Sequence, residues 1–307
     1  MTKHLFEAQQ LNKELLFKIF KRADELRENS EKTLKGKILT ALFYEPSTRT
    51  RLSFEAAMLR LGGDVIGTEN AKEFSSASKG ESLEDSIRVI SAYCDVIVMR
   101  TTEEGSAERA AKVSSVPIIN GGDGKGQHPT QAILDASTIY REIGKLDNIK
   151  VAMVGDLASG RTVRSLCYLL TKFGNVEIFF VSPENLRMQD DIKAYLKKYN
   201  TKFSESDNLE EILPNVDIIY VTRTQKERLS EEDYQKANGK FVINEQNLPL
   251  IKPEARVMHP LPHVEEIDLN LETEQNDKRV AYFRQAENGL YVRMAILEHL
   301  LSDKKDL

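Results

Sequence analysis

Short apolar runs rich in Ile and Val alternate with longer segments of helical periodicity along almost the whole chain. The runs are Ile38–Phe43, Val65–Gly67, Asp95–Met99 and Pro117–Ile119, then Lys150–Val154, Glu177–Val181, Ile218–Val221, Phe241–Ile243 and Arg256–Met258. Apolar stretches of this length read as strands covered on both faces, the environment of a parallel sheet. Intervening segments such as Arg51–Leu61 and Arg161–Phe173 place apolar residues at helical spacing instead. The alternation predicts an α/β fold of mainly parallel sheets flanked by helices on both faces. The 307 residues exceed what one hydrophobic core usually serves, so two domains are expected, each with its own sheet. The break is placed near Gly144-Lys145-Leu146-Asp147, giving domains of residues 1–143 and 144–285. A helix starting at His128-Pro129-Thr130-Gln131 leads into the break. A last helix, about 286–307, has no strand after it and is expected to pack back on the first domain.

Charge and cysteine content narrow the classes of function. A net charge of −5 disfavours nucleic acid as a partner, since a phosphate backbone demands a basic face. Cys94 and Cys167 lie far apart with no CxxC spacing, so neither a structural zinc site nor a disulfide framework is expected, and a reducing compartment is the simpler setting. The start, Met1-Thr2-Lys3-His4, lacks the apolar stretch of a secretory signal. The longest apolar runs, Ile178–Val181 and Val96–Met99, fall far short of the ~20 residues of a membrane helix. The expectation is a cytoplasmic protein that engages neither membrane nor nucleic acid.

In open α/β sheets, ligands bind beyond the carboxyl ends of the strands. Ser47–Thr50 follow the first expected strand, Arg100 follows the third, and His128 lies in the loop after the fourth. In the second domain Arg161 follows the first strand, Arg223 the third and His259 the last. Four arginines and two histidines at strand exits point to an anionic ligand held between two domains. In Glu45-Pro46-Ser47-Thr48-Arg49-Thr50-Arg51, Ser47 can cap the following helix, whose first N–H groups and dipole attract phosphate. The hydroxyls add neutral donors, and Arg49 can grip phosphate oxygens as a fork. The same residues also read as a well-capped helix with exposed arginines.

Other segments divide in the same way. Gly155-Asp156-Leu157-Ala158-Ser159-Gly160-Arg161-Thr162 resembles a phosphate-binding P-loop in its glycine spacing, but Arg161 stands where a nucleotide site has lysine. No later strand ends in a convincing magnesium-holding Asp, so Arg161 reads better as a carboxylate-binding residue at a helix N-terminus. His128 is either a polar helix-start residue or, following the glycine-rich loop Gly121–Gly126, one that faces a ligand. Lys79, in Ser75-Ser76-Ala77-Ser78-Lys79-Gly80-Glu81, lies on a small polar loop and by itself reads as an exposed lysine.

Together with Val98-Met99-Arg100, Gly122-Asp123-Gly124, Arg223-Thr224-Gln225-Lys226-Glu227-Arg228 and His259-Pro260-Leu261-Pro262, these motifs occur in order along nearly the whole chain. In that arrangement the sequence resembles the aspartate/ornithine carbamoyltransferase family, and its aspartate branch in particular. The resemblance implies the carbamoyltransferase fold, with residues 1–143 binding carbamoyl phosphate and 144–285 binding L-aspartate. It implies transfer of the carbamoyl group to the aspartate amine, giving N-carbamoyl-L-aspartate and phosphate, an early step of de novo pyrimidine biosynthesis. By the same resemblance Ser47, Thr48, Arg49 and Thr50 hold the phosphate with help from Arg100 and Gln131, while Arg100, His128 and Thr50 reach the carbonyl oxygen. The backbone carbonyls of Pro260 and Leu261 orient the carbamoyl NH₂. Arg161 takes the α-carboxylate of aspartate, and Arg223 with Gln225 the β-carboxylate. In the family a serine and a lysine from a loop enter the neighbouring subunit's site; Lys79 matches the lysine and Ser75 the serine, with Ser76 one place off. A homotrimer with shared sites is thereby implied, and regulatory chains are compatible with it. One departure is His263, where the family often has arginine after His-Pro-Leu-Pro.

The implied chemistry requires no covalent intermediate, metal or cofactor. An amine attacks a carbonyl, negative charge builds on its oxygen, and placed donors stabilise that charge while Arg49 supports the departing phosphate. Ornithine would put an ammonium where Arg223 is expected, a like-charge encounter costing several kcal/mol, and Pro260 stands where the ornithine enzymes typically have cysteine. The rival expectations are a carbamoyltransferase acting on ornithine or a related amine, a nucleotide enzyme built on Gly155–Thr162, and a non-catalytic paralogue; a scaffold would not need so cationic a set of strand exits.

Overall fold

The buried apolar runs pair as parallel strands in two separate sheets. The computed structural model describes residues 4–29, 31–74, 79–223 and 241–302. Contacts divide the chain into one unit of Met1–Leu134 with Asn288–Leu307 and a second of Asp135–Glu287.

In the first unit β1 (Ile38–Phe43), β2 (Asp64–Glu69), β3 (Val96–Thr101) and β4 (Ile118–Asp123) form a sheet in the order β2-β1-β3-β4, all parallel. Its helices are α1 (Lys13–Glu28), α2 (Thr48–Arg60), α3 (Ala71–Phe74), α4 (Leu83–Ile90), α5 (Ser106–Val113) and the start of α6 (Pro129–Ile143). Local sequence explains their placement. Asn12 caps α1 by accepting from the Leu15 N–H at 2.8 Å, and the helix buries Leu16, Ile19, Phe20, Ala23 and Leu26 along one stripe. Ser82 caps α4 at the Asp85 N–H, and Pro129 opens α6, where its missing N–H costs no hydrogen bond. β4 runs on through Gly121 and Gly122 to Asp123, so the expected glycine-rich loop is half strand.

The second unit has β5 (Lys150–Gly155), β6 (Glu177–Val181), β7 (Lys202–Ser206), β8 (Ile218–Thr222), β9 (Ile243–Asn244), β10 (Arg256–Met258) and β11 (Ile267–Asp268). Five of these make a parallel sheet in the order β10-β8-β5-β6-β7. The helices are α7 (Arg161–Leu170), α8 (Asp190–Lys198), α9 (Leu209–Ile212), α10 (Leu271–Asn276) and α11 (Tyr282–Leu301), with the rest of α6. One expectation needs correction, and one strand had not been expected. The run Phe241–Ile243 does not join the main sheet; only Ile243 and Asn244 pair, with Ile267 and Asp268, in a two-stranded sheet of their own. β7 gave no apolar signal, because Lys202-Phe203-Ser204-Glu205-Ser206 is the edge strand and most of its side chains face solvent.

The two units exchange within α6 and α11, between Leu134 and Asp135 and between Glu287 and Asn288. The sequence-based boundary at 143/144 coincides with the end of α6. In the first unit the final turns of α11 pack on α1: Glu298, almost fully buried, accepts from Arg22 Nε at 2.6 Å and from Thr33 Oγ1 at 2.5 Å. Arg27 donates to Asn288 at 3.0 Å, and the Arg293 guanidinium lies 5.2 Å from the Phe54 ring centroid.

In the second unit Glu142 of α6 accepts from Arg256 Nε at 2.8 Å and from Arg284 Nε at 2.7 Å. Burial alone would raise its pKa, but the two guanidiniums outweigh it and hold the carboxyl below its ordinary value. With the folded value below the unfolded one, the stabilisation is complete above the unfolded pKa and is lost as pH falls through the folded one. Glu142→Gln is therefore expected to cost about 2 kcal/mol at neutral pH, discounted for the half-exposed Arg284. Urea unfolding should show the gap to wild type closing on acidification; a constant gap across the acid range would disprove the linkage.

Candidate active site

In the first unit the candidate residues stand at the carboxyl ends of three neighbouring strands. β1 leads to Ser47–Thr50, β3 beside it ends on Arg100 and Thr101, and β4 beside β3 leads to His128. Ser47 occupies the N-cap position of α2, yet its hydroxyl caps no N–H there; Arg51 N–H bonds the Ser47 carbonyl instead. Thr48 and Arg49 are exposed on the first turn, and Thr50 is buried. The two arginines of the motif part ways. Arg51 is tied to Glu55 at 2.8 Å, whereas among the described residues no carboxylate pairs with Arg49. The protein around Arg49 withdraws enough water to push its pKa down, the direction a cation takes when it loses solvent without gaining a counter-ion, though it stays charged at neutral pH.

Thr50 Oγ1 lies 3.4 Å from His128 Nε2, and Thr130 Oγ1 lies 3.3 Å from His128 Nδ1, so two hydroxyls bracket a buried imidazole. Gln131, also buried, is on the first turn of α6. Arg100 Nη2 donates to Glu45 Oε1 at 2.6 Å, which fixes the side chain against the loop that follows β1. Glu45 and Thr130 were not foreseen as site residues; both sat inside quoted motifs, but nothing local reveals the partner of either. The stretch after Gly122 folds on the protein's own groups. Asp123 accepts from the Gly105 and Gln127 N–H groups at 2.9 and 2.8 Å, and the Gly124 N–H donates to the Thr101 carbonyl at 3.0 Å.

In the second unit the same arrangement recurs. β5, β8 and β10 are consecutive in the sheet, and Arg161, Arg223 and His259-Pro260-Leu261 follow their carboxyl ends. Arg161 is the first residue of α7 and Arg223 the first after β8; both are half-buried. The P-loop-like glycines have a packing cause. Gly155 has φ +107°, and a Cβ there would lie 2.4 Å from the Thr222 carbonyl oxygen; one on Gly160 would lie 2.8 Å from the Asp156 carbonyl oxygen. Asp156 itself caps the loop, accepting from the Ser159 N–H at 2.9 Å.

His259 is buried behind its motif. Its Nδ1 accepts from the Leu261 N–H at 2.8 Å, and its Nε2 lies 2.9 Å from Glu266 Oε1. Burial works to raise the Glu266 pKa, but the hydrogen bond from His259 outweighs it and keeps the carboxyl below its usual range. Leu261 has φ +57°. His263, the departure from the family pattern, is half-buried, with Nε2 3.3 Å from Glu274 Oε1 and its ring 5.2 Å from that of Tyr282. Lys79 is exposed; Ser75, Ser76 and Gln225 lie outside the described residues. Neither cysteine is set up as a nucleophile: burial raises both thiol pKa values, that of Cys167 to about 12.

Comparison with known proteins matches this layout half by half. The family model described as the aspartate/ornithine carbamoyltransferase carbamoyl-P binding domain matches residues 3–141, and that of the Asp/Orn binding domain matches residues 147–300. A pea (Pisum sativum) protein named aspartate carbamoyltransferase 1, chloroplastic, is 55% identical over 304 residues, which span 97% of this chain and 78% of that protein. The solved catalytic subunit of M. jannaschii aspartate transcarbamoylase superposes with a TM-score of 0.90 at 47% identity, covering 100% of both chains. Aspartate transcarbamoylase from Trypanosoma cruzi, solved in complex with carbamoyl phosphate and aspartate, superposes with a TM-score of 0.90 at 37% identity over 97% of each chain. With both family domains present in order and relatives this similar over nearly the full length, the chain belongs to the aspartate/ornithine carbamoyltransferase family.

Proposed function

We propose that this protein transfers the carbamoyl group of carbamoyl phosphate to the amine of L-aspartate, releasing N-carbamoyl-L-aspartate and phosphate, an early step of de novo pyrimidine biosynthesis. One observation carries the reading: in each unit, three neighbouring strand ends gather donors suited to an anion. Arg49, without a described carboxylate partner, and the Thr48 and Ser47 hydroxyls receive the phosphate, with Arg100 and Gln131 beside them. Thr50, His128 and Arg100 face the carbonyl oxygen. In the tautomer whose Nδ1 accepts from Thr130, His128 carries its proton on Nε2 and donates it toward the oxyanion as the amine attacks. Two arginines on neighbouring strand ends, Arg161 and Arg223, match the two carboxylates of aspartate, Gln225 assisting, and the carbonyls of Pro260 and Leu261 accept from the carbamoyl NH₂.

The amine lone pair forms the new C–N bond, the C–O bond to phosphate breaks, and phosphate leaves with the electron pair and accepts the proton shed by nitrogen. The main contribution of the protein is placement: two anions that repel in water are held together by fixed cations and hydroxyls. The working enzyme is proposed as a cytoplasmic homotrimer in which Lys79 and Ser75 of one subunit complete the site of the next; the exposure of Lys79 is compatible with that role.

Steady-state carbamoylation with aspartate and with ornithine as acceptors tests the proposal. Turnover with aspartate alone is expected. Turnover with ornithine instead would overturn the assignment of Arg223 and Gln225, and a folded protein inactive on both would overturn the reaction.

A further inference from the structure

We infer that His259 is a positioning residue, whose Nδ1 holds the Leu261 amide and thereby aims the Pro260 carbonyl at the carbamoyl NH₂. The inference rests on the assignment of that carbonyl to the carbamoyl group, and goes beyond it by naming what sets its direction.

The Pro260 carbonyl and the Leu261 N–H belong to one planar peptide unit, and in a trans unit they point in opposite directions. Whatever holds the N–H therefore fixes where the oxygen points. The holder is His259 Nδ1, at 2.8 Å from the Leu261 nitrogen. Leu261 also sits at φ +57°, a region that a non-glycine residue occupies only when its surroundings impose it.

The imidazole is held in turn. An N–H donates, so Nδ1 must be the bare acceptor, which puts the ring proton on Nε2, 2.9 Å from Glu266 Oε1. The His259 backbone N–H donates to Gln285 Oε1 at 2.9 Å, Gln285 Nε2 donates to Asp135 Oδ1 at 2.6 Å, and Tyr220 donates to Asp135 Oδ2 at 2.7 Å. Tyr220, Asp135, Gln285 and His259 are all essentially inaccessible to solvent. A chain of hydrogen bonds this deep specifies one arrangement of the turn.

Two amide substitutions separate the halves of the imidazole. Asn at 259 places its oxygen near the Nδ1 position and keeps the acceptor for Leu261; Gln reaches the Nε2 position and keeps the link to Glu266 but loses that acceptor. His259→Asn is expected to retain kcat within about 5-fold, and His259→Gln to lose on the order of 100-fold, with KM for aspartate little changed in either. Equal losses, equal retention or the reverse order would overturn the inference. A second measurement needs no variant: ¹⁵N-histidine NMR of the wild-type protein should show a neutral imidazole at this position protonated on Nε2 only. A proton on Nδ1 would overturn the inference even if the variants fail to fold. Wild-type turnover with aspartate, measured first in the same assay, distinguishes failure of the proposed reaction from failure of the role given to His259.

Discussion

Arg49→Ala is expected to lower kcat for carbamoyl transfer to aspartate by about 10³-fold or more while leaving thermal stability nearly unchanged. The size follows from where charge develops. Phosphate leaves carrying the electron pair of the broken C–O bond, and a fixed cation beside it acts without having to reorganise. The lack of a stability effect follows from the surroundings of the residue. Arg49 is exposed on the first turn of α2, and no described carboxylate would be left unpaired by its removal. Arg49→Lys should recover only part of the loss, because a point charge cannot reproduce the two-pronged grip of a guanidinium. Initial rates at saturating carbamoyl phosphate, together with calorimetric melting, decide the matter. An alanine variant within tenfold of wild type would remove Arg49 from the proposed chemistry.

Gly155→Ala is the second large effect, and it falls on stability. Two costs combine. The backbone at φ +107° is one that an L side chain rarely adopts, and the new methyl carbon would stand 2.4 Å from the Thr222 carbonyl oxygen. Relief by movement is barred because β5 and β8 are central, paired strands with Gly155 opposite Thr222. A loss of roughly 3–5 kcal/mol is expected from strain and overpacking together. Thr222 immediately precedes Arg223, so whatever protein survives should also show a raised KM for aspartate. A urea unfolding free energy within 1 kcal/mol of wild type, by the usual linear extrapolation, would refute the packing explanation. That result would reopen a ligand-binding role for the glycines, such as the nucleotide loop their spacing resembles.

The case of Gly155 shows why motif spacing misleads. The same G-x-x-x-x-G pattern arises from a phosphate cradle or from two strands passing too closely for a side chain, and only the neighbouring strand tells them apart. The strands themselves divide similarly. Those buried on both faces, such as Ile38–Phe43, have the same limits in sequence and structure, because burial leaves a mainly apolar run. β7 at the sheet edge and the two-residue β9 and β11 leave no such record, since few of their side chains need to be apolar.

What local chemistry dictates was legible along the chain: strand and helix alternation, the helix starts at Ser47, Pro129 and Arg161, and polar residues just past apolar runs. Each depends on neighbours within a turn or two. Which of those residues become neighbours depends on strand order, and β2-β1-β3-β4 and β10-β8-β5-β6-β7 are products of how long crossovers pack. The same holds for ion pairs across long sequence separations, Arg100 with Glu45 and Glu142 with Arg256, whose partners are chosen by the folded backbone and by no spacing rule. The tautomer of His259 is the sharpest instance. Its sequence neighbourhood permits either ring nitrogen to carry the proton, and the turn that brings the Leu261 N–H and Glu266 to opposite sides of the ring leaves one.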